Sequence, residues 1–301
     1  MANYGKIQVG KIDLDTCGAT LLHGLIPGDK VEVLRGGQAT EADLANHDIL
    51  CIEVGGAGRV AEGNFDHHGP GATPEMASAT CQSWYFIPGS GEDAETYWGQ
   101  KVSRLVEYID RLDTKGAQAL GPRQEGLFPT LSDLFAGMLL TTREPVEQLH
   151  LGVEMLHDVV LAGVNPYGRM PIEGVPEWTA YAKAKAENNR QVAEAVKRAE
   201  WAQTRTGLKL AWLETDFFGA PGALYGVGAQ VVVAYSPHFG PAKTPKFTIA
   251  GNGIKVDAAL AELNAREPGW GGPGTGTIIG SPREGSKMTL NEVVEIVRRL
   301  L

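Results

Sequence analysis

Short apolar runs alternate with amphipathic stretches through the first half of the chain. Ile7 to Ile12 reads as a strand, Val31 to Leu34 as a second and Asp48 to Val54 as a third. Gly18 to Leu22 opens a helix after the first strand. Thr40-Glu41-Ala42-Asp43-Leu44 carries the capping signals of a brief helix before the third. Strands that alternate with helices predict an α/β domain with a doubly wound, mostly parallel sheet. Helices are expected over 97–113, 131–140 and 146–160, and a Pro- and Gly-containing connection over 165–176. Residues 177–204 contain neither Gly nor Pro and read as one long solvated helix. Strands over 230–235 and 246–250 and an amphipathic helix over 291–301 complete a smaller α/β domain. The expected division is 1–165, a connecting loop and helix over 166–204, and 205–301.

At 301 residues, with 43% hydrophobic and 21% charged residues, the chain fits a globular protein of two domains. No apolar run reaches the ~18–20 residues that span a bilayer, so no membrane association is expected. The N-terminus lacks the pattern of an export signal, and Cys17, Cys51 and Cys81 are a sparse, odd set. A cytoplasmic location with reduced thiols is the expectation. The net charge is −9, yet residues 205–301 carry ten Lys/Arg against eight Asp/Glu, so the acidic excess lies in the first 204. That excess argues against binding a long nucleic-acid duplex and suits a small or short anionic substrate at a metal site.

In a parallel sheet, ligands gather beyond the carboxyl ends of the strands. Asp13 and Asp15 follow the first strand, Glu53 ends the third, and Asn64-Phe65-Asp66-His67-His68-Gly69 lies just beyond it. An acid followed by two imidazoles is a poor core element, because burying such groups unpaired costs several kcal/mol. Carboxylates favour hard divalent ions, and added imidazole shifts the preference toward Mn, Fe, Co or Zn. Near the C-terminus, Gly269 to Gly280 contains six glycines and is followed by Arg283. Such a loop either serves turns alone or lets backbone N–H groups and the guanidinium meet an anion. His238, after a strand, is a further candidate for substrate contact.

With these residues in order, the chain resembles the DHH phosphoesterase superfamily, which includes RecJ-like exonucleases, oligoribonucleases, cyclic-dinucleotide phosphodiesterases and manganese pyrophosphatases. Asp13-Leu14-Asp15 looks like its first motif, the strand ending in Glu53 like its second, and Asp66-His67-His68 like its signature. Tyr108 to Gly116, with Asp110 and Asp113, looks like its fourth. The resemblance implies a metal-binding catalytic domain over 1–165 and a substrate-binding domain over 205–301. It implies one or two Mn ions, with Mg, Co or Fe as alternatives, held by Asp13, Asp15, Glu53, His67 and Asp113. Asp110 is the alternative to Asp113, and Asp66 either binds the metal or orients an imidazole. His68 would contact the scissile phosphate or help with proton transfer, and Gly271, Gly272, Gly274, Arg283 and His238 would meet the substrate.

The sequence departs from the family pattern at three points. Gln8, Val9, Gly10 and Lys11 stand where a histidine usually precedes the first aspartate, Glu53 replaces an aspartate, and the glycine-rich tail lacks a histidine. The nearest alternatives are His23 and His47, and His23 lies in an apolar helix and reads as packed. Lys11 could supply positive charge in place of a metal. The expected activity is metal-dependent hydrolysis of a phosphoester or phosphoanhydride in a short oligonucleotide or small nucleotide. The alternative is a catalytically degenerate protein that binds such a ligand. Self-association into a homodimer through the 177–204 helix is a third possibility.

Overall fold

The computed structural model describes the chain except residues 1–3, 25–29, 35–36, 70, 74, 88–96, 122–125, 241–242 and 273–275. Two compact units emerge, Met1–Lys185 and Ala186–Leu301.

The first unit is built on strands β1 (Lys6–Val9), β2 (Val31–Val33), β3 (Ile49–Ile52) and β4 (Asn64–Phe65). They pair in the order β2-β1-β3-β4, all parallel, as the alternating pattern predicts. A strand in such a sheet is covered on both faces, and its successive side chains point to opposite ones. β3 follows that rule. Leu50 and Ile52 join Ile7, Val9 and Phe65 in the large core, while Ile49 and Cys51 meet Leu44 of helix α2 (Glu41–Leu44) in a smaller cluster.

The large core is closed by helices α1 (Leu14–His23), α4 (Tyr97–Lys115), α5 (Leu131–Thr141) and α6 (Pro145–Ala162). Helix α3 (Ala79–Phe86) packs against α1 and α4. Tyr85 and Phe86, in the apolar run Trp84-Tyr85-Phe86 of α3, are exposed. All three cysteines are free thiols.

Close helix contacts in this unit depend on missing side chains. A Cβ at Gly152 of α6 would lie 2.6 Å from Cys17 Sγ, and one at Gly137 of α5 would run into the backbone carbonyl of Tyr181. A carbonyl cannot rotate away as a flexible side chain can. Gly137→Ala is therefore expected to cost about 3 kcal/mol, the upper end of ordinary overpacking. For a unit of this size that lowers the melting temperature by ~10 °C, readable by thermal denaturation.

The second unit holds a five-stranded sheet of mixed direction, ordered β5-β6-β7-β8-β9. Its strands are β5 (Glu200–Gln203), β6 (Lys209–Glu214), β7 (Val231–Phe239), β8 (Thr244–Gly251) and β9 (Ile278–Gly280). Val231 and Val233 face a core with helices α9 (Leu260–Arg266) and α10 (Leu290–Leu300). Val232 faces the opposite side with Leu224 of α8 (Ala220–Gly226) and Ala195 of α7 (Pro176–Val196). The long helix expected over 177–204 therefore ends at Val196. Residues 200–203 form an antiparallel edge strand against β6, because pairing Trp201 with Ala211 and Ala202 with Leu210 outweighs the helical composition. Among the described residues no helix is long and apolar enough to cross a membrane.

Candidate metal centre

The site lies where β1 and β3 end. β3 stops at Ile52, and Glu53 takes φ +54°, a left-handed backbone that non-glycine residues seldom adopt. Its N–H still donates to the Phe65 carbonyl at 3.0 Å, so the strand is paired until the chain turns. Gly10 is needed there, because a Cβ on residue 10 would strike the Glu53 carbonyl. Strain at an over-determined position is a recurring mark of functional sites.

Four side chains converge on this turn. One ligand atom from each of Glu53, His67, His68 and Asp113 lies within 4.8 Å of every other, and the four could hold a metal ion. Glu53 Oε1 is 3.1 Å from His68 Nε2 and 3.4 Å from His67 Nε2, and His67 Nε2 is 2.8 Å from Asp113 Oδ2. The Glu53 side chain is 1% exposed and that of His67 7%, whereas His68 is half exposed. The two imidazoles lie against each other with ring centroids 3.9 Å apart.

Three of these atoms, Glu53 Oε1, His67 Nε2 and Asp113 Oδ2, are buried without a hydrogen-bond partner. They touch but are out of line for hydrogen bonds. A buried polar atom left unsatisfied costs ~1–3 kcal/mol, and three pointing at one place would be an expensive accident. Two imidazole nitrogens and two carboxylate oxygens form a donor set suited to Mn, Fe, Co or Zn. The residues fit a divalent ion.

The electrostatics agree. Burial pulls the His67 imidazole down, but Asp113 and Glu53 beside it prevail and raise its pKa to about 10. Burial pushes the Glu53 carboxyl up, yet His67, His68 and Lys11 hold it well below the usual carboxylate range. The site thus draws positive charge onto its own residues.

The other expected ligands accept backbone hydrogen bonds, and Asp13 also pairs with Lys11. Asp15, almost fully buried, accepts the Ala79 and Thr80 N–H groups, one on each oxygen at 2.8 Å, so it receives the start of helix α3. Burial, with Glu53, Asp113 and Asp13 adding to it, pushes its pKa up to about 7. Asp66 accepts the Gly55 N–H at 2.6 Å and the His68 N–H at 2.7 Å, which folds the loop rather than orienting a ring. Asp110 accepts the Ser78 N–H at 2.8 Å, leaving Asp113 as the fourth-motif residue in the cluster. Asp13 caps α1 by accepting the Thr16 N–H and pairs with Lys11 at 2.8 Å. Its carboxyl is raised by burial and by Glu53, against the pull of Lys11.

Thr16, which the sequence did not single out, donates its hydroxyl to Glu53 Oε2 at 3.1 Å and so leaves Oε1 facing the histidines. His23 is packed among Tyr4, Phe65 and Phe86, where burial lowers its pKa to about 4, in keeping with a core histidine.

Asp15→Ala would strand two buried N–H groups and is expected to cost about 2 kcal/mol. Asp15→Asn should cost less, since its amide oxygen still accepts one of the two N–H groups. Urea midpoints of the two variants at pH 8 check the ordering.

The second unit's candidates have surroundings of their own. Gly271 is bridged to Gly280, its N–H donating at 3.1 Å, and so is not free for an anion. A Cβ at Gly272 would strike the Ile278 carbonyl, so that glycine serves backbone packing. Gly274 lies outside the described residues. Arg283 is exposed. His238 pairs through Nδ1 with Asp216 Oδ2 at 3.0 Å on an exposed surface.

Among solved structures, the chain is similar to one described as a DHH domain, a member of the s1p family of ribosomal proteins. The TM-score is 0.50 at 14% identity, over 98% of this chain and 86% of that one. At that identity the likeness is one of fold, and this chain has the two-domain α/β fold of a DHH protein. No protein-family model and no curated protein matches the sequence.

Proposed function

We propose that this DHH-fold chain is a metal-dependent phosphohydrolase, with manganese held by Glu53, His67, His68 and Asp113. The observation that carries the reading is the set of three buried donor atoms, none of them hydrogen-bonded, meeting at the end of a parallel sheet. A divalent ion there would act as a Lewis acid on a phosphoryl group and on the attacking water.

The protein's own residues support the remaining steps. His68 is half exposed and is the ligand of the four nearest the solvent from which a phosphoryl group would arrive. Glu53, anchored by Thr16, keeps both rings in register. The acidic excess of the first 204 residues favours a short oligonucleotide or small nucleotide over a long duplex.

The test is hydrolysis by the Mn-loaded protein of dinucleotides, cyclic dinucleotides, nucleoside bisphosphates and pyrophosphate. Turnover that vanishes on chelation and returns with Mn supports the reading. Tight binding of one of these ligands without turnover would replace it with the catalytically degenerate alternative.

A further inference from the structure

We propose that Lys11 is a built-in cation of this centre and limits it to one divalent ion per chain. The inference rests on the metal centre proposed above and concerns what occupies the space beside it. The Lys11 ammonium lies 2.8 Å from Asp13 Oδ2 and 3.4 Å from Glu53 Oε1, bridging the carboxylate at the end of β1 and the one at the end of β3. A second divalent ion beside the first would need those same two carboxylates. It would meet the ammonium at contact distance, and like charges in a partly buried site repel strongly.

The hydrogen bonds to these carboxylates single out one oxygen. Both oxygens of Asp15 are taken by Ala79 and Thr80, and both of Asp66 by Gly55 and His68. Asp13 Oδ1 is taken by Thr16, and Glu53 Oε2 by the Thr16 hydroxyl. Asp13 Oδ2 is then the one oxygen of these three aspartates without a hydrogen bond from the backbone, and Lys11 holds it. One ion with two imidazoles and two carboxylates, beside one ammonium, is the arrangement these contacts allow. The Lys11 side chain is half exposed, so an anionic phosphoryl group arriving from solvent would meet it.

The experiment is metal stoichiometry, measured by elemental mass spectrometry after saturation with Mn and removal of free ion, together with the electron paramagnetic resonance spectrum. Wild type is expected to hold one Mn per chain with the six-line spectrum of an isolated ion. Lys11→Ala and Lys11→Met free Asp13 Oδ2 and remove the charge, and should take up a second ion with a spin-coupled spectrum. Lys11→Arg keeps the charge and should remain at one. Because Lys11 is half exposed at a sheet end, these variants leave the core intact, and circular dichroism verifies it. Two ions in wild type, or one ion in wild type and in both neutral variants, would overturn the inference while leaving the metal centre standing. No ion in any of them would overturn the metal centre itself.

Discussion

His67→Ala is expected to lower the affinity for Mn by more than about 100-fold, and phosphoester hydrolysis with it. Outer partners of a metal site typically account for ~10–100-fold each, so a buried direct ligand should exceed that range. His67 is the most enclosed nitrogen of the cluster, with Nε2 between Glu53 and Asp113. Removing it leaves two carboxylates and one rim imidazole, a set that holds a divalent ion poorly. Glu53→Gln should be comparably damaging, because Glu53 Oε1 faces both histidines and Lys11. His68→Ala should cost less affinity than either, since its ring is half in solvent. Asp110→Asn serves as the contrast: its carboxylate receives the Ser78 N–H, so metal affinity should stay within a few-fold of wild type. Isothermal titration with Mn, with circular dichroism to verify folding, separates these outcomes. Unchanged affinity in His67→Ala would remove the centre from this position.

The sequence made the N-terminal sheet legible because its strands are short, apolar and separated by helical stretches, and strand ends in such a sheet collect ligands. Glu53, His67, His68 and Asp113 were all visible as candidates on that ground or through the resemblance. What could not be read was which carboxylates are spent on the backbone. Asp15 and Asp110 are each more than 30 residues from the N–H groups they accept, and helix α3, which supplies those groups, has no strong amphipathic pattern of its own. Asp66 holds Gly55 across an 11-residue gap that depends on the turn at Glu53. The edge strand β5 was hidden because its Glu-Trp-Ala-Gln continues a helix-forming composition, and only pairing with β6 makes it a strand. The glycine-rich tail shows the same limit in the second unit. Gly271 and Gly272 permit close backbone approach, which looks the same in sequence as a loop open to an anion.

Metal affinity is expected to rise about tenfold per pH unit between roughly pH 7 and 9, a change of ~1.4 kcal/mol per unit. In the metal-free protein His67 carries a proton at neutral pH, its pKa raised from an ordinary 6.5 to about 10 by Asp113 and Glu53 against the opposing effect of burial. An ion needs Nε2 bare, so binding must expel that proton, and each unit of pH makes the expulsion tenfold easier until the histidine loses it unaided. The sign of the stability effect follows from the same shift. A raised imidazole pKa stabilises the metal-free fold fully below about pH 6.5, and that contribution is lost as pH climbs toward 10. The loaded protein does not depend on the proton, so the melting-temperature gain produced by a fixed Mn concentration should widen from pH 7 to pH 9. Competition titrations at three pH values, and calorimetry in buffers of different ionisation enthalpy, would show close to one proton released per ion. A flat affinity across that range would mean that His67 is neutral without metal or is not a ligand, and the two separate in an NMR titration of its ring.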